Sequence, residues 1–125
     1  MANQREKPRD IKERTFAFAV DIVRLCLRLE KLSATFRTLS KQLLRSGTSI
    51  GANVEEAQAG QSRADFISKY AISLKEARET IYWLRLIQAV GSVKDVAIEE
   101  LIQEADEISR IIGSIIVSSK KKPPK

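Results

Sequence analysis

Apolar residues in this chain return at alternating steps of three and four rather than two, and that rhythm limits the fold more than any other feature. Toward the C-terminus, Leu101, Ala105, Ile108, Ile112 and Ile115 form one seam, with Glu99, Glu100, Gln103, Glu104, Asp106, Glu107 and Arg110 on the water-facing side. Upstream, Phe66, Tyr70, Leu74, Ala77, Ile81 and Leu84 form a second seam, and Lys75 stands one turn from Glu79, where opposite charges can touch. Strands are excluded, and the pattern predicts an all-α chain.

Punctuation divides the chain into four helical segments. Asp10 with Glu13, Ser62 with Asp65, and Ser92 with Asp95 each pair a capping acceptor with a carboxylate three residues on, where both answer the orphan N–H groups of a helix start. Gly60 and Gly91 precede two of these caps and are expected to take the left-handed conformation that closes a helix. The connection from about Glu30 to Leu39 is the longest, with Ser33, Thr35, Thr38 and Ser40 all able to cap, so the second helix is predicted to begin between Phe36 and Lys41. Short connections favour antiparallel neighbours. The expected architecture is one antiparallel up-down-up-down four-helix bundle over residues 10–119, with a disordered arm at 1–9 and a disordered basic tail at 120–125. At 125 residues one core suffices, burying roughly two-thirds of the surface that the unfolded chain exposes.

The first two helices depart from the simple pattern in opposite directions. The first carries two apolar stripes, Phe16, Val20, Val23, Leu27 and Phe18, Ile22, Leu25, Leu29, leaving a narrow polar strip along Arg14, Asp21, Arg24, Arg28 and Lys31. So wide an apolar surface either fills the centre of one subunit or meets another chain. Self-association is the preferred reading, with Phe18, Ile22, Leu25 and Leu29 as the oligomer interface. A few hundred Å² of such surface at about 25 cal/mol per Å² contributes several kcal/mol before the costs of association. The second helix instead holds Ser46-Gly47-Thr48-Ser49-Ile50-Gly51-Ala52-Asn53 in its middle. Glycine inside a helix costs about 0.5–1 kcal/mol relative to alanine, so Gly47 and Gly51, one turn apart, predict the close approach of another backbone. A small-molecule pocket in that gap is the lesser alternative.

Charge and inventory bound the function. The net charge is +6. Residues 93–119 set Lys94 and Arg110 against Asp95, Glu99, Glu100, Glu104, Asp106 and Glu107, a balance of −4. The lysine tail supplies +4, and residues 1–92 carry the remaining +6. Lys75, Arg78, Tyr82 and Arg85 share one face of the third helix, a basic stripe with an aromatic suited to phosphates and a base. Arg24 and Arg28 offer a second basic strip, and Lys120, Lys121 and Lys122 a third contact, although solvated charge is the commoner fate of each. The absence of histidine removes the commonest general base and the Glu-x-x-His pairs of di-iron bundles. No enzyme activity, metal or cofactor is therefore expected. Glu100, Glu104 and Glu107 read as solvated surface, and the lone Cys26 as a packed thiol. No apolar run reaches the length of a membrane span and no early apolar run follows Met1, so neither a span nor a signal peptide is expected, and a soluble cytoplasmic protein is the expectation.

The stretch from Gln42 to Ala57 resembles the central signature of the bacterial 23S rRNA intervening-sequence proteins, also called S23 ribosomal proteins. Ser49, Ile50, Asn53 and Glu56 fall on that family's positions, while Gly51 stands where it usually has proline and Ala57 where it usually has glycine. Asp65-Phe66, Tyr70, Ser73-Leu74, Glu76 and Tyr82-Trp83-Leu84 are similar to its third helix, and Glu99 through Ile116 to its fourth. The resemblance implies a four-helix bundle assembling as a homopentameric ring, without catalysis and in loose association with nucleic acid, RNA or DNA. More distantly it implies kinship with the accessory variability protein of diversity-generating retroelements, which partners a reverse transcriptase. Asn53 and Glu56 are expected to satisfy each other or a neighbouring backbone.

Overall fold

Four helices account for most of the described residues of the computed structural model, which are 10–60, 62–91 and 95–121. They are α1 (Ile11–Leu29), α2 (Ala34–Gln58), α3 (Arg63–Val90) and α4 (Val96–Lys121), with no strand among the described residues. Local chemistry sets most of their ends. The Asp10 carboxylate accepts from Lys12 N at 2.9 Å, and Ser62 Oγ accepts from Asp65 N at 3.1 Å. α2 begins earlier than the sequence predicts because Ser33 takes the cap, its Oγ accepting from Phe36 N at 3.1 Å, so the connection shrinks to residues 30–33. Before α4 the capping carboxylate is Asp95, which accepts from Ala97 N at 3.0 Å; Ser92 lies outside the described residues.

Gly91 ends α3 in the left-handed region at φ 85°, as predicted, whereas Gly60 does not adopt a positive φ. α2 closes instead by tightening its last turn, with Ala59 N donating to Glu56 O and Gly60 N to Ala57 O. α4 continues through Lys121, so Lys120 and Lys121 lie in its last turn rather than in a tail; cations there suit the negative helix end. Residues 1–9 and Lys122 lie outside the described residues.

Each helix packs on two neighbours: α2 on α1 and α3, α4 on α3 and α1, with no close backbone approach between the diagonal pairs. Contacts along three of these four seams run in reverse order of sequence. On α1 and α2, Cys26 meets Ser40, Ile22 meets Gly47 and Thr15 meets Gly51. On α2 and α3, Ser46 meets Thr80, Ile50 meets Ser73 and Gln58 meets Tyr70. On α1 and α4, Arg28 meets Asp95 and Arg14 meets Glu104.

The two stripes of α1 separate cleanly, and the sequence reading chose the wrong one as the outer surface. Phe18, Ile22, Leu25 and Leu29 are at most 1% exposed and form the core of the bundle with Leu43, Ile50, Tyr70, Leu84, Ile108 and Ile112. They are not an interface between copies. Because α2 and α4 flank α1 on the side that these residues occupy, the other stripe turns outward: Phe16 is 66% exposed, Leu27 58% and Val23 38%. The α3 seam is also rotated from expectation. Ser73 and Thr80 are fully buried beside Tyr70, Ala77 and Leu84, while Phe66, Leu74 and Ile81 are half-buried at its edge.

The glycines explain the closeness of α1 and α2. A Cβ on Gly47 would stand 2.8 Å from Ile22 Cγ2, and one on Gly51 would stand 3.3 Å from the backbone oxygen of Thr15. At Gly51 the predicted backbone approach is present; at Gly47 the space is filled by a side chain, so α1 occupies the gap considered for a small molecule. Hydroxyls in this tight interior bond locally. Thr15 donates to Ile11 O at 2.9 Å and Thr80 to Ser46 Oγ at 3.0 Å, and no buried side-chain polar atom among the described residues lacks a partner. Cys26 donates to Ser40 O at 3.5 Å, and burial pushes its thiol up from the ordinary value, which makes it a packed and unreactive group.

Candidate nucleic-acid interface

α3 buries one side against α2 and α4, and the opposite side carries the predicted basic stripe. Lys75, Arg78, Tyr82 and Arg85 are all exposed and follow one another by steps of three, four and three. At 1.5 Å per residue they line about 15 Å of helix. The acids of α3 point elsewhere. Arg45 of α2 reaches across with Nη1 3.4 Å from Glu76 Oε1 and Nη2 2.5 Å from Glu79 Oε2. Trp83 Nε1 adds a bond to Glu79 Oε2 at 3.0 Å. The Trp83 bond first, and then the Arg45 bond, hold the Glu79 carboxyl below its usual range; Lys75 adds only its charge. The Glu79 bond in turn raises the Arg45 guanidinium.

This sorting leaves the outer face of α3 with excess positive charge. Among the described residues, Arg78 and Arg85 make no ion pair; Glu76 and Glu79, the acids beside Arg78 in sequence, are engaged by Arg45 of α2, and no acid lies within a turn of Arg85 on α3. Tyr82, 59% exposed, sits between them. Its ring meets that of Trp83 edge-on, at 5.1 Å between centroids and 74° between planes. Trp83 is itself half-buried against the core.

The other predicted basic residues are placed differently. Arg28 binds Asp95 through Nε at 2.9 Å and its own helix through Nη1 to Arg24 O at 3.4 Å. Arg24 is exposed and makes no ion pair among the described residues, but α1 stands diagonally across from α3, so Arg24 and Arg28 do not join the α3 stripe. Lys120 and Lys121 are exposed at the end of α4.

The signature residues are structural. Ser49 Oγ donates to Arg45 O at 2.6 Å and Asn53 Nδ2 to Ser49 O at 2.9 Å. Ile50 is buried, and its carbonyl accepts from Ser73 Oγ at 2.8 Å. Glu56 pairs with Lys69 at 3.0 Å, so it and Asn53 do not satisfy each other. No group of three metal-ligating side chains occurs among the described residues, and no helix there is long and apolar enough to cross a membrane.

Two arginines escaped the sequence reading. Arg45 organises the α3 charges, and Arg14 binds Glu104 through Nε at 2.7 Å and Nη2 at 2.9 Å and also Glu107. Glu104 and Glu107 are therefore not the free solvated acids that the sequence suggests. Burial opposes the charge on Arg14, but the Glu104 bond is the larger influence and raises it. Their partners lie 31 to 93 residues away, and the only local signal was that Glu76 and Glu79 share a face, as do Glu104 and Glu107.

Comparison with known proteins bears on the fold and the family. A crystal structure of a protein of unknown function from the S23 ribosomal protein family of Bacteroides thetaiotaomicron superposes with a TM-score of 0.78 at 44% identity, covering 86% of this chain and 98% of that one. No curated protein matches. The family described as 23S rRNA-intervening sequence protein matches residues 7–114. With that span and the shared four-helix architecture, the chain belongs to the 23S rRNA-intervening sequence protein family.

Proposed function

We propose that this protein is a non-enzymatic, cytoplasmic, antiparallel up-down-up-down bundle that associates with nucleic acid through the outer face of α3 and self-associates through the outer stripe of α1. The observation that carries the first part is the withdrawal of Glu76 and Glu79 toward Arg45, with Arg78 and Arg85 left facing water beside Lys75. A face so arranged attracts phosphates in any sequence context. The family's name, which refers to an intervening sequence of 23S rRNA, makes RNA the first ligand to try. The reversed order of contacts along the three cross-seams supports the antiparallel topology. Self-association rests on Phe16, Val23 and Leu27, an exposed apolar row that water leaves uncompensated. A closed ring of five copies satisfies it by symmetry.

Retention of RNA on the protein, followed through a salt series, tests the charge reading. Binding should weaken steeply between about 50 and 200 mM salt, and Arg78→Ala with Arg85→Ala should abolish it without altering helix content. No retention of RNA at any salt would instead support the second reading, an interaction scaffold or accessory subunit such as a reverse-transcriptase partner, whose apolar contact with another protein should be insensitive to salt. Light scattering on the eluting particle tests assembly: Phe16→Ser with Leu27→Ser should lower its mass to that of one chain.

A further inference from the structure

We infer that the α3 face accepts single-stranded rather than duplex nucleic acid, with one unpaired base stacking on Tyr82 while Arg78 and Arg85 hold the flanking phosphates. The inference rests on the reading of α3 as a nucleic-acid face and narrows its ligand. A lone exposed aromatic on a protein surface means little. Tyr82 differs in three respects. Guanidinium groups without ion pairs among the described residues stand one turn before and one turn after it. Its ring meets that of Trp83 edge-on and the residue is still 59% exposed, so it keeps open surface on which a base can lie. That contact is fixed in turn, because Trp83 Nε1 is held by Glu79 and Glu79 by Arg45. A ring held in place gives up little freedom on stacking.

Duplex nucleic acid has no use for that ring. Its bases are already stacked inside the helix and offer a convex face such as this only phosphates, whereas single strands present open base faces that aromatic side chains cover. A purely phosphate-binding surface would be served by Lys75, Arg78 and Arg85 alone, with position 82 free to be any polar residue. Single-stranded RNA and DNA share the chemistry, and the inference covers both.

Trp83 is the only tryptophan in the chain and lies 5.1 Å from Tyr82, which supplies an internal reporter. Short uridine and thymidine oligonucleotides and a duplex of equal length are titrated into the full-length protein at low salt, following both ligand anisotropy and tryptophan emission. Either single strand should bind more tightly than the duplex and should change the emission, and the two strands report which sugar is accepted. Tyr82→Leu should weaken single-strand binding by about tenfold, in keeping with the loss of one base–aromatic stack. Tyr82→Phe should retain it, and duplex binding should be the same in all three proteins. Equal or tighter duplex binding, or a Tyr82→Leu variant that binds single strands as the parent does, overturns the inference and leaves the basic-face reading standing. Failure of every ligand to bind at low salt removes both.

Discussion

α1 is fastened on its two sides by different physics. Toward α2 the contact is made mainly of glycine, hydroxyl and thiol groups in close packing, with Gly47 against Ile22, Gly51 against Thr15 and Cys26 against Ser40, and its one ion pair among the described residues, Lys12 with Glu55 at 3.6 Å, is exposed. Toward α4 the seam is sparser and depends on charge, with Arg14 on Glu104 and Glu107 and Arg28 on Asp95. The first contact is sensitive to volume, because a packed interior forfeits dispersion when a group is removed and strains when one is added. The second is sensitive to solvent conditions, and its strength depends on how far each pair is withdrawn from water. One helix therefore has a face that tolerates little change of shape and another that tolerates little change of charge.

The largest effect expected comes from the shape-sensitive side. Ile22→Ala should cost about 2–5 kcal/mol, since it opens a cavity at a fully buried position, measurable by urea unfolding. Arg14→Met comes next. Its side chain is only 12% exposed and binds Glu104 through two nitrogens, so removing it should cost about 1–3 kcal/mol by leaving a half-buried carboxylate short of donors. A loss no greater than that of an exposed pair would show that the α4 seam is uniformly weak.

Gly47→Ala should cost about 1 kcal/mol, the strain against Ile22 outweighing the gain in helix propensity. In the Ile22→Ala background the same change should become stabilising, because the new methyl then enters the cavity. Additive effects in that double-mutant cycle would separate the two residues and break the contrast. The smallest effect is that of Arg28→Ala, about 0.5 kcal/mol at neutrality for a pair half open to water.

Its signature lies in pH. Burial is the largest single influence on Asp95 and works to raise it, but the bonds from Arg28 and Ala97 N together hold its carboxyl below the ordinary range. A folded-state value below the unfolded one means that the stabilisation is complete above the unfolded value and disappears as pH falls through the folded one. The Arg28→Ala penalty should accordingly be full near neutrality and vanish well below about pH 4. A penalty of equal size at both ends would exclude the carboxylate as its source.

Much of this arrangement was legible from residue spacing, because caps and apolar periods are local. Asp10, Ser62 and Gly91 act where the sequence places them, and the α4 seam of Leu101, Ala105, Ile108 and Ile112 is buried as read. Spacing alone also revealed that α1 has two apolar stripes. Which one faces the core depends on where α2 and α4 lie around it, and that is not a property of α1. The start of α2 was misplaced because four hydroxyl residues compete for one cap, and only the chain's path selects Ser33. On the α3 face the basic and aromatic residues were readable by their period, but their freedom from acids was not. That freedom comes from Arg45, on another helix.

The Arg14 pair joins the first helix to the last, across 90 residues of sequence. As the chain is made, α1 can settle against α2 once Gly47 and Gly51 are free to pack on Ile22 and Thr15. Its other flank stays unfastened until Glu104, 90 residues after Arg14, has followed. Closure of the bundle on that flank thus waits for the last helix, and a product that stops short of Glu104 lacks the acids that fasten Arg14.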